Sequence, residues 1–557
     1  MKNIKIYFAS ILLILITGRC KEMNPFEGVS LVVTDEPANS PVLLRFIDAN
    51  PESKTQPDKI TIKITSDKAS YILNDVGGKN YKVAGNMLAL KLDKGLVASW
   101  SAPVKFTVQA EAPGYIGTSQ TFTLISSDPA RLVMPMVNIK EPPKGVITVE
   151  ASVPVSGGKI SILNRGGGTG TGVASLTRAD AEAGSVAFQT GTQVMDANGN
   201  VITATQVNAE IAVFNPQEAQ SYGPALFKSG ETRDRIRFIQ AGFISIKMWA
   251  GGKEVKRFSK PIEVSMVVSP DLRNPLTGEV IKEGSTIPTW SLDETTYKWK
   301  EEGVAVVSKN SQGDLVVKFE VSHLSYWQCS YYTPPAETCE LRVALKVKSN
   351  SMFNSGRYYA DLYDSKGFLY RTPNFYITDG VYNYIDSPTP KGEKIKLVVT
   401  DAKSGKSVGE ATFDACSNID FTKPHEINIT IPNPIKPLFV DFDLSAICKN
   451  KNLKLKPNLT ASMELSEEGY LVDWNFIDLY DGKAEGVPVI EGKDYAIRFV
   501  FDGKLYSGKF NFKRNGLVQM TTSEEGADFS GLNASATYDA VKDLITYKAQ
   551  YVITNCK

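Results

Sequence analysis

Few side chains of this 557-residue chain have the types and spacing that catalysis requires. Only 2 histidines are present: His323 directly follows a predicted strand, and His425 follows Pro424 in a predicted loop. A serine triad needs a histidine base held by a carboxylate, and a zinc hydrolase needs closely spaced ligands such as an H-E-x-x-H pair. The sequence has no H-E-x-x-H pair. We therefore predict no metal site and no cofactor, and we assign no catalytic residue.

Paired carboxylates are the other chemistry to consider, because glycoside hydrolysis uses two acidic side chains. The chain has 61 acidic residues, so neighbouring acids arise by chance, and we interpret them as solvent-exposed. A carboxylate-based glycoside hydrolase or lyase stays as an alternative function. The acids that would serve it are Asp293, Glu294, Glu301, Glu302, Asp473, Asp478 and Asp481.

Aromatic residues cluster just after His323. Exposed rings could stack on a sugar, whereas buried rings supply apolar area to a core. Both interpretations stay open for this cluster. The candidate ligand platform consists of Tyr326, Trp327, Tyr331 and Tyr332.

Two glycine-containing segments have simpler interpretations. The run Gly166–Gly172 lacks the G-x-x-x-x-G-K-[ST] pattern of a phosphate loop, so we predict a loop without phosphate binding. The segment Asp196–Asn200 has the composition of a calcium loop, but its glycine is misplaced and no glutamate closes it. We predict a β-hairpin turn there, between Val194 and Val201.

The first 20 residues resemble an export signal. Two lysines precede the apolar stretch Tyr7–Thr17, which is too short to cross a bilayer. Cys20 lies where a bacterial lipoprotein carries its lipidated cysteine, although Arg19 occupies a position where a small residue is usual. We predict lipidation at Cys20 and a tether over residues 21–29. The alternative is an ordinary cleaved signal followed by an incidental cysteine.

The remaining cysteines all lie in the C-terminal part of the chain. Disulfides persist in exported proteins, and no pair here has the C-x-x-C spacing of zinc or redox sites. We predict the disulfides Cys339–Cys416 and Cys448–Cys556, with Cys329 left unpaired. Other pairings and buried free thiols stay open, since a sequence does not determine connectivity.

Apolar and polar residues alternate wherever the pattern is regular, as in Leu341–Val347, which predicts half-buried strands. Glycine-containing turns such as Asp75–Gly78 separate these strands. The pattern predicts an all-β chain of several serial β-sandwich, immunoglobulin-like modules after a lipoprotein signal peptide. Short helices are predicted only at Leu176–Ala183 and Tyr538–Tyr547.

Proline-rich segments suggest the linkers between modules, because proline blocks ladder hydrogen bonds and stiffens a spacer. These segments are Glu141–Gly145, Tyr332–Ala336 and Ile431–Pro437. The predicted order is a signal peptide (1–20), a tether (21–29) and four β-rich modules (30–140, 145–333, 337–432 and 436–557).

The middle module carries a motif of the form I-P-x-W, D-E, W-x-x-E-G and H-x-S-x-W. Its residues are Ile287, Pro288, Trp290, Asp293, Glu294, Trp299, Glu302, Gly303, His323, Ser325 and Trp327. The motif resembles a β-rich module of bacterial surface proteins and a region of cartilage intermediate layer proteins. It implies no catalytic residues, and we interpret Trp290, Trp299, His323 and Trp327 as one packing cluster.

Two further resemblances concern the N-terminal part. Pro113-Gly114-Tyr115 after a predicted strand resembles the turn of carboxypeptidase regulatory-like and other immunoglobulin-like sandwiches. The charged residues Lys21-Glu22 after Cys20 resemble the export signal of Bacteroidetes surface lipoproteins. This resemblance implies a location on the outer membrane, with the choice between outer and inner leaflet left open.

The net charge and the composition disfavour some classes of function. The 62 basic and 61 acidic residues leave a formal charge of +1, so no basic field favours nucleic acid. We predict a non-enzymatic, lipid-anchored outer-membrane protein at the cell surface. Its modules would form a rod that binds or adheres to an extracellular protein or glycan. The alternative, besides an enzyme, is a glycan-binding accessory lipoprotein of a polysaccharide-uptake system.

Overall fold

The computed structural model describes residues 13–14, 39–155, 157–163, 182–215, 227–229, 235–274, 277–293, 298–333, 337–350, 358–365, 367–372, 375–377, 382–401, 404–416, 424–431, 434–449, 453–467, 470–501, 503–514, 519–521, 527–528 and 532–553. Within these ranges most residues lie in strands, and the only helix is one 3-10 turn. No helix in the described ranges is long and apolar enough to span a bilayer. The prediction of an all-β fold of serial sandwich modules is confirmed.

Module 1 is a two-sheet sandwich that follows the short strand β1 (Leu13–Ile14). One sheet has the order β4-β5-β2-β9-β7 and the other β3-β6-β8, and alternate residues of both sheets fill one core. Its elements are β2 (Asn39–Asp48), β3 (Thr61–Thr65), a 3-10 helix (Ala69–Tyr71), β4 (Ile72–Asn74), β5 (Met87–Leu92), β6 (Val104–Glu111), β7 (Tyr115–Ile116), β8 (Thr118–Leu124) and β9 (Ala130–Asn138).

Module 2 is a single large sheet that curls around one core. Its main path is β10-β14-β16-β22-β19-β20-β21-β18-β12-β11, and strands from both ends of the path contribute to the same apolar cluster. Its strands are β10 (Val146–Pro154), β11 (Lys159–Leu163), β12 (Glu182–Ala187), β13 (Val194–Met195), β14 (Gln206–Phe214), β15 (Phe227–Ser229), β16 (Arg235–Ala250), β17 (Lys253–Val255), β18 (Arg257–Val267), β19 (Thr286–Asp293), β20 (Lys298–Lys309), β21 (Leu315–His323) and β22 (Tyr326–Thr333).

Module 3 is a sandwich of two small sheets, β26-β23-β29 and β25-β24-β27-β28, around a core of aliphatic and aromatic residues. Its strands are β23 (Thr338–Ser349), β24 (Tyr358–Asp364), β25 (Gly367–Thr372), β26 (Tyr382–Pro390), β27 (Lys394–Asp401), β28 (Ser407–Asp414) and β29 (His425–Ile429). His425, which we predicted in a loop, is therefore the first residue of a strand, where its exposed ring packs 4.9 Å from the ring of Phe413.

Module 4 is a sandwich of the sheets β31-β30-β40-β39, with β34 also paired to β30, and β33-β32-β35-β36-β37. Its strands are β30 (Leu438–Cys448), β31 (Leu453–Leu455), β32 (Leu459–Glu467), β33 (Tyr470–Leu479), β34 (Lys483–Val489), β35 (Asp494–Phe501), β36 (Lys504–Asn511), β37 (Gln519–Thr521), β38 (Ala527–Asp528), β39 (Leu532–Asp539) and β40 (Leu544–Ile553). Strand β38 pairs with β1. The domain boundaries within the linkers stay a prediction.

The predicted helix Tyr538–Tyr547 is wrong. The segment is the hairpin turn between β39 and β40, in which the carboxylate of Asp539 accepts the backbone N–H groups of Val541 and Lys542. Asp543 then adopts a positive φ of 51°, which a helix does not allow. Of the other predicted helix, Leu176–Ala183, residues 176–181 lie outside the described ranges, and the last two residues belong to β12.

The modules do not form a rod, because module 1 packs against each of the others. Its contacts with module 2 form one buried apolar cluster, and its contacts with module 4 form another. Against module 3, the ring of Trp100 lies edge-on at 5.2 Å from that of Tyr384. The cluster shared with module 4 contains Leu43, Ile47, Met87, Val133, Phe476 and Val500. The expectation of an extended rod is therefore wrong.

Candidate functional site

The contact between modules 1 and 4 follows from the alternation in two strands. In β2, Leu44 and its neighbours two residues away face the core of module 1, so Arg45 lies on the opposite face. In β32, Met463 faces the core of module 4, so Ser462 and Glu464 lie on its outer face. The two outer faces meet, and each strand is thus buried on both sides.

Glu464 is the centre of this contact. Its side chain is fully buried, and its Oε1 atom lies 3.0 Å from a terminal nitrogen of Arg45, whose side chain is only 2% exposed. Arg498 of module 4 lies 3.3 Å from Oε2, and it also donates a 2.9 Å hydrogen bond to the carbonyl oxygen of Gly85 in module 1. The hydroxyl of Ser462 donates to Oε1 at 3.0 Å. One carboxylate therefore joins arginines from both modules in a site that excludes water.

Arg131 of β9 forms a second connection, in which module 3 also takes part. Its guanidinium lies 2.6 Å from Asp478 of module 4 and 5.5 Å from the ring centre of Phe476. Its backbone carbonyl accepts a hydrogen bond from the hydroxyl of Tyr376 in module 3. Burial raises the pKa of Tyr376, which keeps that hydroxyl a donor. We call the residues Arg45, Arg131, Tyr376, Glu464, Asp478 and Arg498 the junction cluster.

The acids singled out from the sequence lie in two different modules, and several belong to ion pairs. Asp478 accepts from Arg131 and, at 2.8 Å, from Thr460. Asp481 lies 2.7 Å from Lys456, and Glu302 lies 3.0 Å from Lys300. Asp293 and Glu301 are exposed. Glu294 and the side chain of Asp473 lie outside the described residues.

The four aromatic residues of the candidate ligand platform do not share one face. They alternate along β22, so Tyr326 and Tyr332 point to one side of the sheet, and Trp327 and Tyr331 point into the core of module 2. Three of the rings are less than one-tenth exposed, and only Tyr332 is 36% exposed. The structure thus leaves one accessible ring of the four.

The tryptophans of the sequence motif are buried, but they form two clusters instead of one. Trp290 and Trp299 pack around Phe238, at 4.9 and 6.1 Å between ring centres, and the indole nitrogen of Trp290 donates to a backbone carbonyl. Trp327 lies on the other side of the sheet, 5.0 Å from the ring of His323. The motif therefore serves packing on both faces of one sheet, which alternation along β22 dictates.

The cysteine predictions are confirmed in part. Cys339 and Cys416 form a disulfide with a Cα–Cα distance of 5.1 Å. Cys329 is a free, buried thiol, and burial raises its pKa. Cys20, Cys556 and the side chain of Cys448 lie outside the described residues, so lipidation and the second disulfide stay predictions.

Of the two glycine-containing segments, one lies within the described residues. The segment Asp196–Asn200 forms the predicted turn, since Met195 bridges to Val201 and the carboxylate of Asp196 accepts the backbone N–H groups of Asn198 and Asn200 at 2.9 Å. The side-chain amide of Asn200 also donates to this carboxylate at 3.1 Å, and this hydrogen bond, followed by the backbone ones, lowers the pKa of Asp196. Residues 166–172 lie outside the described ranges. Within the described residues, no group of three or more His, Cys, Asp or Glu side chains is arranged to hold a metal ion.

A buried polar network links module 1 to the segment that leads into module 2. Asp48 is fully buried, and it accepts hydrogen bonds from the backbone of Asn50 at 2.8 Å, the hydroxyl of Tyr115 at 3.1 Å and the side chain of Asn138 at 3.2 Å. Burial raises the pKa of Asp48, although these hydrogen bonds oppose the shift. Burial also raises the pKa of Tyr115, to about 12. Asn50 donates to the carbonyl of Glu141, which fixes the linker.

Sequence reasoning missed the junction cluster. A signal was present in β2, where V-L-L-R-F-I places apolar residues on both faces of a strand and one arginine among them. Such a strand is typically buried on both sides. The pattern does not identify the second partner, because Glu464 lies more than four hundred residues further along the chain.

Comparisons with known proteins add little to this picture. No protein-family model matches the sequence, and no curated protein matches it. Among solved structures, the C-terminal fragment of the pilus adhesin SpaC from Lactobacillus rhamnosus GG is 10% identical, with 39% of this chain and 99% of that chain covered and a TM-score of 0.14. The major pilin subunit BcpA of Bacillus cereus is 10% identical, with 92% and 99% covered and a TM-score of 0.14. At such low identities and TM-scores these likenesses assign neither a family nor a function.

Proposed function

We propose that this chain is a non-enzymatic lipoprotein of the bacterial outer membrane that presents tightly packed β-sandwich modules at the cell surface. The modules bind or adhere to an extracellular protein or glycan. The observation that carries the proposal is the junction cluster. There, ion pairs between charged side chains hold modules 1 and 4 against each other.

Rigid packing favours a binding role. Module 1 contacts the other three modules, so loops that are distant in the sequence hold fixed relative positions. A preorganised surface loses less entropy on binding than a chain of freely jointed modules.

The ion pairs of the candidate acids disfavour a hydrolase. A glycosidase needs two carboxyl groups that face each other across the substrate. Asp478, Asp481 and Glu302 instead pair with basic side chains at 2.6–3.0 Å.

A glycan-binding accessory role is the second candidate, and the exposed ring of Tyr332, edge-on at 5.9 Å from Trp290, favours it.

Membrane fractionation with palmitate labelling tests the anchor. We expect the wild-type chain to label and to be shaved from intact cells by protease, and we expect Cys20→Ala to lose the label and the membrane association. Retention of the Cys20→Ala variant in the membrane would reject the lipoprotein assignment.

A ligand screen tests the binding role separately. The soluble chain that begins after Cys20 is applied to a glycan array and to extracellular matrix proteins, and the same sample is assayed for hydrolysis of glycans, esters and peptides. We expect binding without hydrolysis. An activity that copurifies with the chain and disappears with a single substitution would show an enzyme instead.

A further inference from the structure

Three modules pair their first strand with their last strand in parallel. In module 4, β30 and β40 pair from Phe439 with Leu544 to Cys448 with Ile553. In module 1, β2 and β9 pair in parallel, and in module 3 β23 and β29 do the same. Module 2 differs, since its first strand β10 pairs antiparallel with β14, and its last strand β22 pairs with β16 and β19.

This topology decides how a module responds to tension. In a parallel pair, the N-terminal end of the first strand and the C-terminal end of the last strand lie at opposite ends of the ladder. Tension along the chain therefore slides the strands past each other, and all ladder hydrogen bonds carry the load together. Two strands pulled from the same end separate one hydrogen bond at a time. The β30–β40 ladder, at about 3.3 Å per residue, is roughly 30 Å long.

The core resists the same sliding motion. Val440 and Phe442 of β30 and Ile545 and Tyr547 of β40 are all buried in one cluster. Neither strand is at the edge of its sheet, since β30 also pairs with β31 and β34, and β40 also pairs with β39. Movement by one residue would turn buried side chains toward the wrong face, so the strands cannot slip in small steps.

In module 3, a disulfide also limits how far the chain can extend under tension. Cys339 lies in its first strand, and Cys416 follows β28, with a sequence separation of 77. Tension that enters at β23 and leaves after β29 passes through this disulfide, and the intervening loop stays closed. Only the short segment after Cys416 can extend while the disulfide is intact.

We propose that the chain is a load-bearing connector, in which the parallel pairing of first and last strands lets modules 1, 3 and 4 each resist tension applied between their N-terminal and C-terminal ends. This inference goes beyond the proposed function, because it rests on strand pairing, core packing and a disulfide, and not on ligand binding. It holds for a glycan or a protein ligand, and it does not require lipidation of Cys20.

Single-molecule pulling on the full chain tests the proposal through the direction of force. Azide-bearing residues replace two positions, so the native cysteines stay untouched. Handles at Lys436 and Asn555 load β30 and β40 from opposite ends. Handles at Lys436 and Val541, which is 96% exposed in the turn before β40, load them from the same end. Both pairs of handles act within module 4 and bypass its contact with module 1.

We expect the rupture force to be several-fold higher with the opposite-end handles. Thermal unfolding of both labelled proteins serves as the control, and we expect the same melting temperature, because only the direction of load differs. Equal rupture forces in the two geometries, or a higher force with the same-end handles, would overturn the proposal. Loss of membrane attachment or of ligand binding would bear on the proposed function and would leave this result unchanged.

Discussion

Arg45 and Glu464 form a buried ion pair at 3.0 Å between the first strand of module 1 and the second half of the chain. A pair so far from water is costly to assemble, and it is still more costly to break on one side. We therefore interpret the pair as determining which surfaces of modules 1 and 4 meet. We expect the carboxylate, which Arg498 also contacts at 3.3 Å, to restrict the relative arrangement of the two modules more than the surrounding apolar contacts do.

The substitution Glu464→Ala tests this pairing. It leaves Arg45 and Arg498 buried without their shared carboxylate, so we expect the free energy of unfolding of the contacting modules to fall by about 3–5 kcal/mol. The double variant Arg45→Met with Glu464→Met should recover part of this loss, because Arg498 is then the only one of the three charges that is left without its partner. Glu426→Ala, which removes an exposed pair with Lys348, is the control and should change nothing measurable. Denaturant unfolding gives the comparison, and equal effects of the two alanine variants would contradict our account.

The substitution Trp299→Ala tests whether the motif of module 2 is structural. Trp299 is 1% exposed and packs on Phe238, so we expect a loss of about 3–5 kcal/mol from the stability of module 2. Tyr332→Ala, at the exposed end of the same face, should cost much less. Calorimetry distinguishes these outcomes. A Trp299→Ala protein with unchanged melting and lost ligand binding would mean that the motif is a binding site.

Asp48 makes the stability of module 1 depend on pH. Its folded-state pKa lies above the ordinary value of 3.8, so the folded state holds this proton more tightly than the unfolded state. The stabilisation from the protonated carboxyl is complete below the unfolded pKa, and it is lost as the pH rises through the folded pKa. Asp48→Asn removes this dependence while it keeps most of the shape of the side chain.

The measurement is the difference in unfolding free energy between the wild type and Asp48→Asn from about pH 3 to about pH 7. We expect the wild type to become less stable relative to the variant as the pH rises. A difference that stays constant, or that favours the wild type at higher pH, would show that Asp48 is not held in the way the structure indicates.

The disulfide Cys339–Cys416 should matter for module 3. It closes a loop with a sequence separation of 77, and removal of such a link from a small domain costs roughly 2–5 kcal/mol. We expect Cys339→Ser with Cys416→Ser to lower the melting transition of module 3, and Cys329→Ala to leave that transition in place. Non-reducing peptide mapping checks the pairing directly. A map that joins either cysteine to a different partner would refute the assignment.

The sequence allowed the strands, the all-β class and one disulfide to be predicted, because these depend on local alternation and on few candidates. For the aromatic platform and the tryptophan cluster, nearness in the sequence did not show which residues pack together, because neighbours such as Tyr326 and Trp327 lie on opposite faces of a strand. The helix at Tyr538–Tyr547 was wrong because a hairpin turn with Asp543 at positive φ occupies its centre. The junction cluster could not be derived, because local pattern does not reveal which distant surface covers the outer face of β2.

The central structural claim is that modules 1 and 4 pack together, so that the protein is compact. Small-angle X-ray scattering of the soluble chain in dilute solution tests it most directly. A compact chain of this length has a radius of gyration of about 25 Å, and we expect a value close to this, with Glu464→Ala giving a larger one. A wild-type value of twice that size, with the scattering profile of a rod, would contradict the account.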